Sequence, residues 1–458
     1  MIGTKYLGEL PISKPISYQI TASGERKYLQ TIYVQNGNTF SYKVLDPIDP
    51  SLELIIDPQL KYSTFLFCLT CDDYSFDIDA NQNGKAVATG FCRSSGFPTT
   101  SGSYQISIIG AIYVFTSVLN DLGSNLIFST FLGGSSIESG SSVTFDLNEN
   151  VVVTGYTNSN NYPIIIAAQS TKLFGTEAFV SKISSLGNSL IFSTFLGGDG
   201  IDVANSVCID KQDNVLVCGF TKSLNFPVTT GVIKAVVQPN SNGLYYEDGF
   251  ITKYNSIGNL LYSTYIGGTK GEQANSIVTD LLNNIYVGGT SESIDFARNS
   301  SGYDTTINGY WDGFVMKLNQ QLNSVIYFSY IGGSINDQLE NIAIDKYNNV
   351  YAVGVSNSTN FPLTLNVYKD TLESGDGYIV CLDSSGKILK HSTAIGNARL
   401  YGIGLNDCGS VFVSGYVYSR NYPITSDAFS NFKGFMDNVI TVLDSALSQL
   451  LYSTFVGK

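Results

Sequence analysis

The chain holds one histidine and one tryptophan in 458 residues, and 14% of its residues are charged. An average soluble chain has ~25%. Basic residues are the scarcer sign: 25 Lys and Arg against 38 Asp and Glu give a net charge of −13, with no Lys/Arg cluster anywhere. A nucleic-acid groove needs a basic footprint for the phosphates, so that class of partner is not expected. No apolar run approaches the ~18 uninterrupted residues of a membrane-spanning helix. The opening segment MIGTKYLGELPISKPISYQI lacks the apolar core of a signal peptide, so no export signal is expected. Seven cysteines are an odd number, and no complete disulfide framework follows from them. Cys68 and Cys71 have C-x-x-C spacing with Cys92 nearby. No second such pair follows and His391 is distant, so small buried thiols are expected rather than a zinc or redox centre. Cys208 and Cys218 fall on consecutive expected strands, and their pairing stays open.

Apolar and aromatic residues are abundant, at 43% and 12%, which is enough for an extensive core and too much for a disordered chain. At ~150 residues per domain the length suggests about three domains. A repeat overrides that prior. Aromatic-Ser-Thr-Phe occurs at Tyr62–Phe65, Phe128–Phe131 and Phe192–Phe195, continues at Tyr262–Tyr265, drifts at Tyr327–Tyr330 and His391–Ala394, and returns at Tyr452–Phe455. Successive copies lie 61 to 70 residues apart and define six complete units. Each unit carries four apolar segments, clearest at 275–280, 285–289, 313–318 and 325–332, rich in Val, Ile, Tyr and Phe and bounded by Gly, Asn and Asp. Those are strand signals with no helical period. Four antiparallel strands per unit, A to D, describe the blades of a β-propeller. Equivalent units are expected near 67–131, 132–195, 196–265, 266–330, 331–394 and 395–456.

The A–B turns read Asp146 to Asn150, Asp210 to Asn214 and Asp345 to Asn349. Asp and Asn bond their own backbone and accept left-handed angles, so tight hairpins are expected. These runs lack the bidentate glutamate and the spacing of a calcium loop. After strand B comes aromatic-Pro, led by Phe97, Tyr162, Phe226, Phe361 and Tyr422, with Phe296-Ala297 as the exception. The proline ends the strand, and the aromatic is expected to fill the gap between blades. Gly-Gly pairs at 133–134, 197–198, 267–268 and 332–333 recur with the period and read as D–A turns, not as a phosphate loop. His391 stands where other units place the aromatic of strand D, so there is no Ser-His-Asp set and no histidine metal cluster.

The blocks aromatic-S-T-F-L-G-G, D…N-V-V-V-T-G-x-T, F-P and D-G-F-x-x-K recur in order in at least four units. They resemble the bacterial β-propeller repeat family abbreviated SBBP, over roughly residues 54–458. The lead-in Leu54 to Pro58 resembles the end of the domain that precedes such repeats. The resemblance implies a propeller at cell surfaces or in secreted proteins, with no established chemistry.

Residues 1–61 do not match the repeat and are assigned to an N-terminal β segment, with 62–458 as the propeller. Strands are expected near Tyr28 to Gln35, Thr39 to Val44 and Leu52 to Ile56. The strand at 62–66 would be an exposed edge unless something N-terminal paired with it. The expected fold is therefore all-β: six four-stranded blades and a seventh built by residues 28–66, with a separate β-cap on a six-bladed ring as the alternative.

The B–C connections run to about twenty residues, are rich in Ser, Thr, Asn and Tyr, and open on the same face as the D–A turns. Long loops on a rigid scaffold are where binding sits. Two recurring sets of acids share that face. Glu138, Asp202, Glu272 and Asp337 begin strand A and are expected to border the central channel, where such a ring would favour Ca²⁺ or another hard cation. Glu177, Asp248, Asp312, Asp376 and Asp437 begin strand C; their expected role is to accept backbone N–H bonds that lock the ring, and they are secondary ligand candidates. No catalytic residue is assigned. The expected function is a non-enzymatic scaffold binding a glycan or protein partner through the long-loop face, where Tyr, Ser and Asn supply adaptable contacts. The alternatives are a metal-dependent hydrolase or lyase at the acidic mouth, and a purely structural spacer.

Overall fold

In the computed structural model the described residues are 2–4, 8–10, 17–21, 26–36, 39–52, 54–56, 66, 72–296, 301–418, 421–426, 428–430 and 436–456. The motif copy at 62–65, and Cys68 and Cys71, lie outside them. Each of the six units folds into one four-stranded antiparallel sheet in the order A-B-C-D, and no helix occurs among the described residues. The blades span 74–132, 138–196, 202–266, 272–331, 337–396 and 399–456. Strands B and C are buried along almost their whole length, as in Val151–Thr157 and Glu177–Ile183. A sheet sandwiched between two others has no solvent face, so its inner strands read as continuous apolar runs.

Local devices set the register. Strand A carries a bulge in every blade, as between Ala274 and Ser276. The glycine of strand B faces it: a Cβ on Gly155 would collide with the carbonyl oxygen of Ser139. Strand D is the outer edge of each blade, and its Ser-Thr pair explains how that edge is covered. Thr264 Oγ1 accepts the N–H of Lys234 (3.1 Å) and lies 3.0 Å from its carbonyl oxygen, pinning the B–C loop along the strand. Thr130 holds Gln105 and Thr393 holds Lys369 in the same way. The recurring motif is thus an edge-protecting device.

Among the described residues the blades pack through five mixed cores. Val114 and Leu132 meet Val143 and Val153; Val180 and Leu196 meet Ala204 and Val217; Ile251 and Ile266 meet Ala274 and Val287. Val315 and Ile331 meet Leu339 and Ala352, and Ile379 and Ile395 meet Leu400 and Val413. The aromatic before proline stacks on strand C of its own blade, as Phe97 on Phe115 (4.6 Å) and Phe361 on Tyr378 (4.4 Å), and Tyr162, Phe226, Phe361 and Tyr422 sit in these mixed cores. Among the described residues none of the cores combines residues of the first and sixth blades. Ile78 on the first strand of blade 1 is 67% exposed, whereas its counterpart Val143 in blade 2 is 2% exposed.

The expectation of a seventh blade from residues 28–66 does not hold among the described residues. Ser17–Ile20 pairs with both Arg26–Leu29 and Leu54–Ile56, while Thr31–Asn36 and Thr39–Val44 form a hairpin of their own. The buried amide of Gln19 gives the reason. Its Nε2 donates to the carbonyls of Asp49 (2.7 Å) and Leu52 (3.1 Å), and its Oε1 accepts the Asp49 N–H (2.9 Å). That clamp draws the strand after residue 52 to Ser17–Ile20 rather than to the hairpin. Two compact units result, residues 1–65 with 122–124, and residues 66–121 with 125–458.

Candidate functional site

Glu138, Asp202, Glu272 and Asp337 have no exposed surface. They do not converge on one opening, as their recurrence suggested; each turns into its own blade and holds the D–A turn. Glu272 accepts the Gly268 N–H (2.9 Å) and the Ser291 hydroxyl (2.8 Å). Asp337 accepts the Gly333 N–H (2.6 Å) and the hydroxyls of Ser358 (2.8 Å) and Ser356. Asp202 does the same with Gly198, Ser223 and Thr221, and Glu138 with Gly134, Thr157 and Ser159. Among the described residues no group of three or more His, Cys, Asp or Glu is placed to hold a metal ion.

The strand-C acids clasp the B–C loops. Glu177 accepts the N–H groups of Phe174 (3.0 Å) and Leu173, Asp312 that of Asn308 (2.7 Å), and Asp376 that of Glu373 (3.1 Å). Asp248 and Asp376 also pair with Lys234 and Lys369, each at 2.6 Å. Asp437 is buried. In blade 1 the Tyr113 hydroxyl replaces the carboxylate, donating to the Gly134 carbonyl (2.7 Å). The two acid sets meet across the first glycine of the D–A turn: a Cβ on Gly197 would lie 2.5 Å from Asp202 Oδ2 and 2.8 Å from Glu177 Cγ. Burial pushes Glu272 up to about 8, with Asp248 adding to it against hydrogen bonds from Ser293 and Ser291. Burial likewise raises Asp312 to about 7 and Asp248 to about 6, the latter against the pull of Lys234.

On the opposite face the A–B turns are closed by side chains. Asp210 Oδ1 accepts the N–H groups of Gln212 and Asn214 (2.9 Å each), and Asp213 takes φ 62°. The lysine of D-G-F-x-x-K reaches this turn: Lys253 pairs with Asp210 at 2.8 Å, Lys182 with Asp146 at 2.7 Å and Lys317 with Asp280 at 3.4 Å. Burial raises the Asp210 carboxyl, and the bonds from Asn214 and Lys253 outweigh it, holding the group below its ordinary value. These are structural turns. Cys208, Cys218, Cys381 and Cys408 form no disulfides.

The groups that do gather at the channel mouth lie one and three positions after the strand-A acids. Strand alternation and the bulge turn Gln273 and Asn275, Gln338 and Glu340, and Arg399 and Tyr401 to one side, where they line a shared cavity of about 400 Å³. Three consecutive blades thus contribute their first strands to one space. Trp311, the only tryptophan of the chain, forms part of its wall and donates from Nε1 to Glu292 Oε1 at 2.5 Å. The Trp311 carbonyl accepts the Asp337 N–H (2.8 Å), which ties the ring's backbone to blade 5. Each cavity glutamate has a donor: Glu247 pairs with Lys222 (3.1 Å), Glu340 with Arg399 (3.5 Å) and Glu292 with the indole. Burial raises the Glu340 carboxyl and Arg399 partly offsets it. Sequence reasoning missed these residues because it sought what recurs. Trp311 occupies the position held by Thr176, Glu247, Gly375 and Met436 in other units, so departure from the repeat was the available signal.

Six repeated four-stranded sheets, with the recurring acids as turn clamps and a non-recurring cavity at the mouth, define a repeat β-propeller. Three of its repeat segments, residues 127–163, 261–297 and 326–362, match the model of the beta-propeller repeat family (SBBP). A domain of unknown function (DUF7948) matches residues 2–59, ending at the lead-in to the repeats. The chain is 26% identical over 263 residues to an uncharacterized WD repeat-containing protein, L264, of Acanthamoeba polyphaga mimivirus, covering 50% of this chain and 18% of that protein. Among solved structures, the Cps50 (Swd1) beta-propeller domain of Myceliophteria thermophila covers 85% of this chain and 90% of its own, at 5% identity and TM-score 0.43. The Dos1 propeller covers 84% and 72%, at 11% identity and TM-score 0.40.

Proposed function

We propose that this chain is a non-enzymatic binding scaffold that recognises a glycan or a protein partner through its B–C loop face. One observation carries the reading: the recurring polar residues of that face are occupied in holding the ring, while the residues that differ between blades line an open cavity there. Rigid repeats with variable mouths suit recognition. Exposed loop aromatics on the same side, Tyr245, Tyr246, Tyr303 and Tyr310, add contact surface at low entropy cost. The WD-repeat character of the viral relative fits a scaffold. A metal-dependent hydrolase would need the strand-A carboxylates to share an ion, and each instead binds its own turn. A printed array of glycans and surface-protein ectodomains, probed with the labelled chain, tests the proposal. The expected result is retention of a subset, weakened by Tyr245→Ala with Tyr246→Ala or by Tyr310→Ala. An array that stays blank with folded protein would overturn it.

A further inference from the structure

We infer that the cavity at the first strands of blades 4 to 6 is a subsite for one neutral pyranose unit, a ligand class that rests on the binding-scaffold reading. A space of about 400 Å³ suits a single sugar ring with its water. Its wall combines an indole with planar amide and carboxylate groups. Sugars offer C–H faces that rest on aromatic rings, and vicinal hydroxyls that bridge to amides, carboxylates and guanidinium groups. Charge disfavours an anionic ligand. Glu247 and Glu340 pair with Lys222 and Arg399, while Glu292 faces only the neutral Trp311 N–H, so three carboxylates against two cations leave one excess negative charge in the wall. What stays available is chiefly a set of acceptors, the amide oxygen of Gln273 and the second oxygens of Glu292 and Glu340, to which sugar hydroxyls can donate; Asn275 already donates to the Leu339 carbonyl (2.8 Å) and the Tyr401 hydroxyl is bonded to Tyr416. The set is also preorganised. Gln338 accepts from the Arg399 guanidinium, and Gln273 lies 3.5 Å from Glu247, so side chains of blades 3 to 6 are held in one arrangement before any ligand arrives.

The single tryptophan makes the test direct. Trp311 fluorescence is followed during titration with the methyl glycosides of glucose, galactose, mannose and N-acetylglucosamine, with glucuronic acid as the anionic counterpart. At least one neutral glycoside is expected to give a saturable change, with a dissociation constant on the order of 1 mM for one sugar unit. Glucuronic acid is expected to bind at least tenfold more weakly than the neutral glycosides. Gly271→Leu provides a blocking variant, because a Cβ there meets nothing closer than 3.6 Å and the added side chain fills the cavity from its wall. It should abolish the change while the melting curve stays as in wild type; Gln338→Ala should weaken binding about tenfold. No saturable change with any neutral glycoside, or equal binding by Gly271→Leu, overturns the subsite. Glycans or ectodomains retained on the array through the loop tyrosines would then leave the scaffold reading standing, so the two failures are distinct.

Discussion

Glu272 illustrates how a recurrent acid works as a clamp. It has no exposed surface, it faces Asp248 across a glycine, and burial lifts its carboxyl to about 8. A carboxyl raised in the fold favours the protonated form, so its stabilising effect is complete below the unfolded value of 4.5 and is lost as pH rises towards about 8. Asp312, raised to about 7, acts in the same direction. The melting temperature is therefore expected to fall across that window. Glu272→Gln, which cannot ionise yet keeps an acceptor for the Gly268 N–H, should flatten the fall; an identical pH profile for the variant would show that Glu272 does not titrate there. The opposite end of the blade relies on ion pairs instead. Lys253 and Asp210 are both almost fully buried, so Lys253→Met leaves an uncompensated carboxylate and is expected to cost about 3–5 kcal/mol in urea unfolding. Adding Asp210→Asn should recover most of that loss.

At the level of elements, the outer strand and the loop that covers it form one device. Thr264 binds both the N–H and the carbonyl of Lys234, and Ser263 accepts the Thr229 N–H through its carbonyl (2.9 Å). Thr264→Val removes two hydrogen bonds at similar side-chain volume, each worth ~0.5–1.5 kcal/mol. The expected consequence is local: amide exchange over 229–247 should accelerate while strands B and C of that blade keep their protection. Uniform acceleration through the blade would mean that the loop is integral to the sheet rather than laid upon it. The hydroxyl pairs between strands C and D, such as Ser181 and Ser193 at 2.8 Å, satisfy buried oxygens that an apolar strand would not carry.

At the scale of the whole propeller, the described residues of six blades share five mixed cores. Ile78 and Val143 occupy equivalent places after the strand-A bulge, pairing with Ala88 and Val153. One is exposed and the other enclosed by the neighbouring blade. Ile78→Lys is expected to change stability by less than ~0.5 kcal/mol, and Val143→Lys to lose about 3 kcal/mol or more, because only the second buries a charge. Equal losses would show that the outer face of blade 1 is covered in solution. Tyr74 and Phe76 reinforce the contrast, lying half-exposed around Phe91 with ring centroids at 5.0 and 5.7 Å.

Six units, four strands in each, their order and their turns follow from the amino-acid pattern alone. Each is set by short-range chemistry: Val-rich runs bounded by Asp and Asn, a glycine opposite a bulge, and a Ser-Thr pair on the edge strand. The clamp role of Glu177, Asp312 and Asp376 was legible for the same reason, since their N–H donors lie three or four residues away in the chain. Residues 28–66 show where the pattern stops. Three strands were readable there, but their pairing depends on the buried amide of Gln19, thirty residues from Asp49, and no local rule anticipates such a contact. The cavity depends on tertiary structure in a sharper way. Strand alternation sends Glu272 and Gln273 to opposite sides, so a one-residue shift separates a buried turn clamp from a wall of the mouth. Gln273, Gln338 and Arg399 stand more than sixty residues apart, and only the packing of three blades around one channel brings them together.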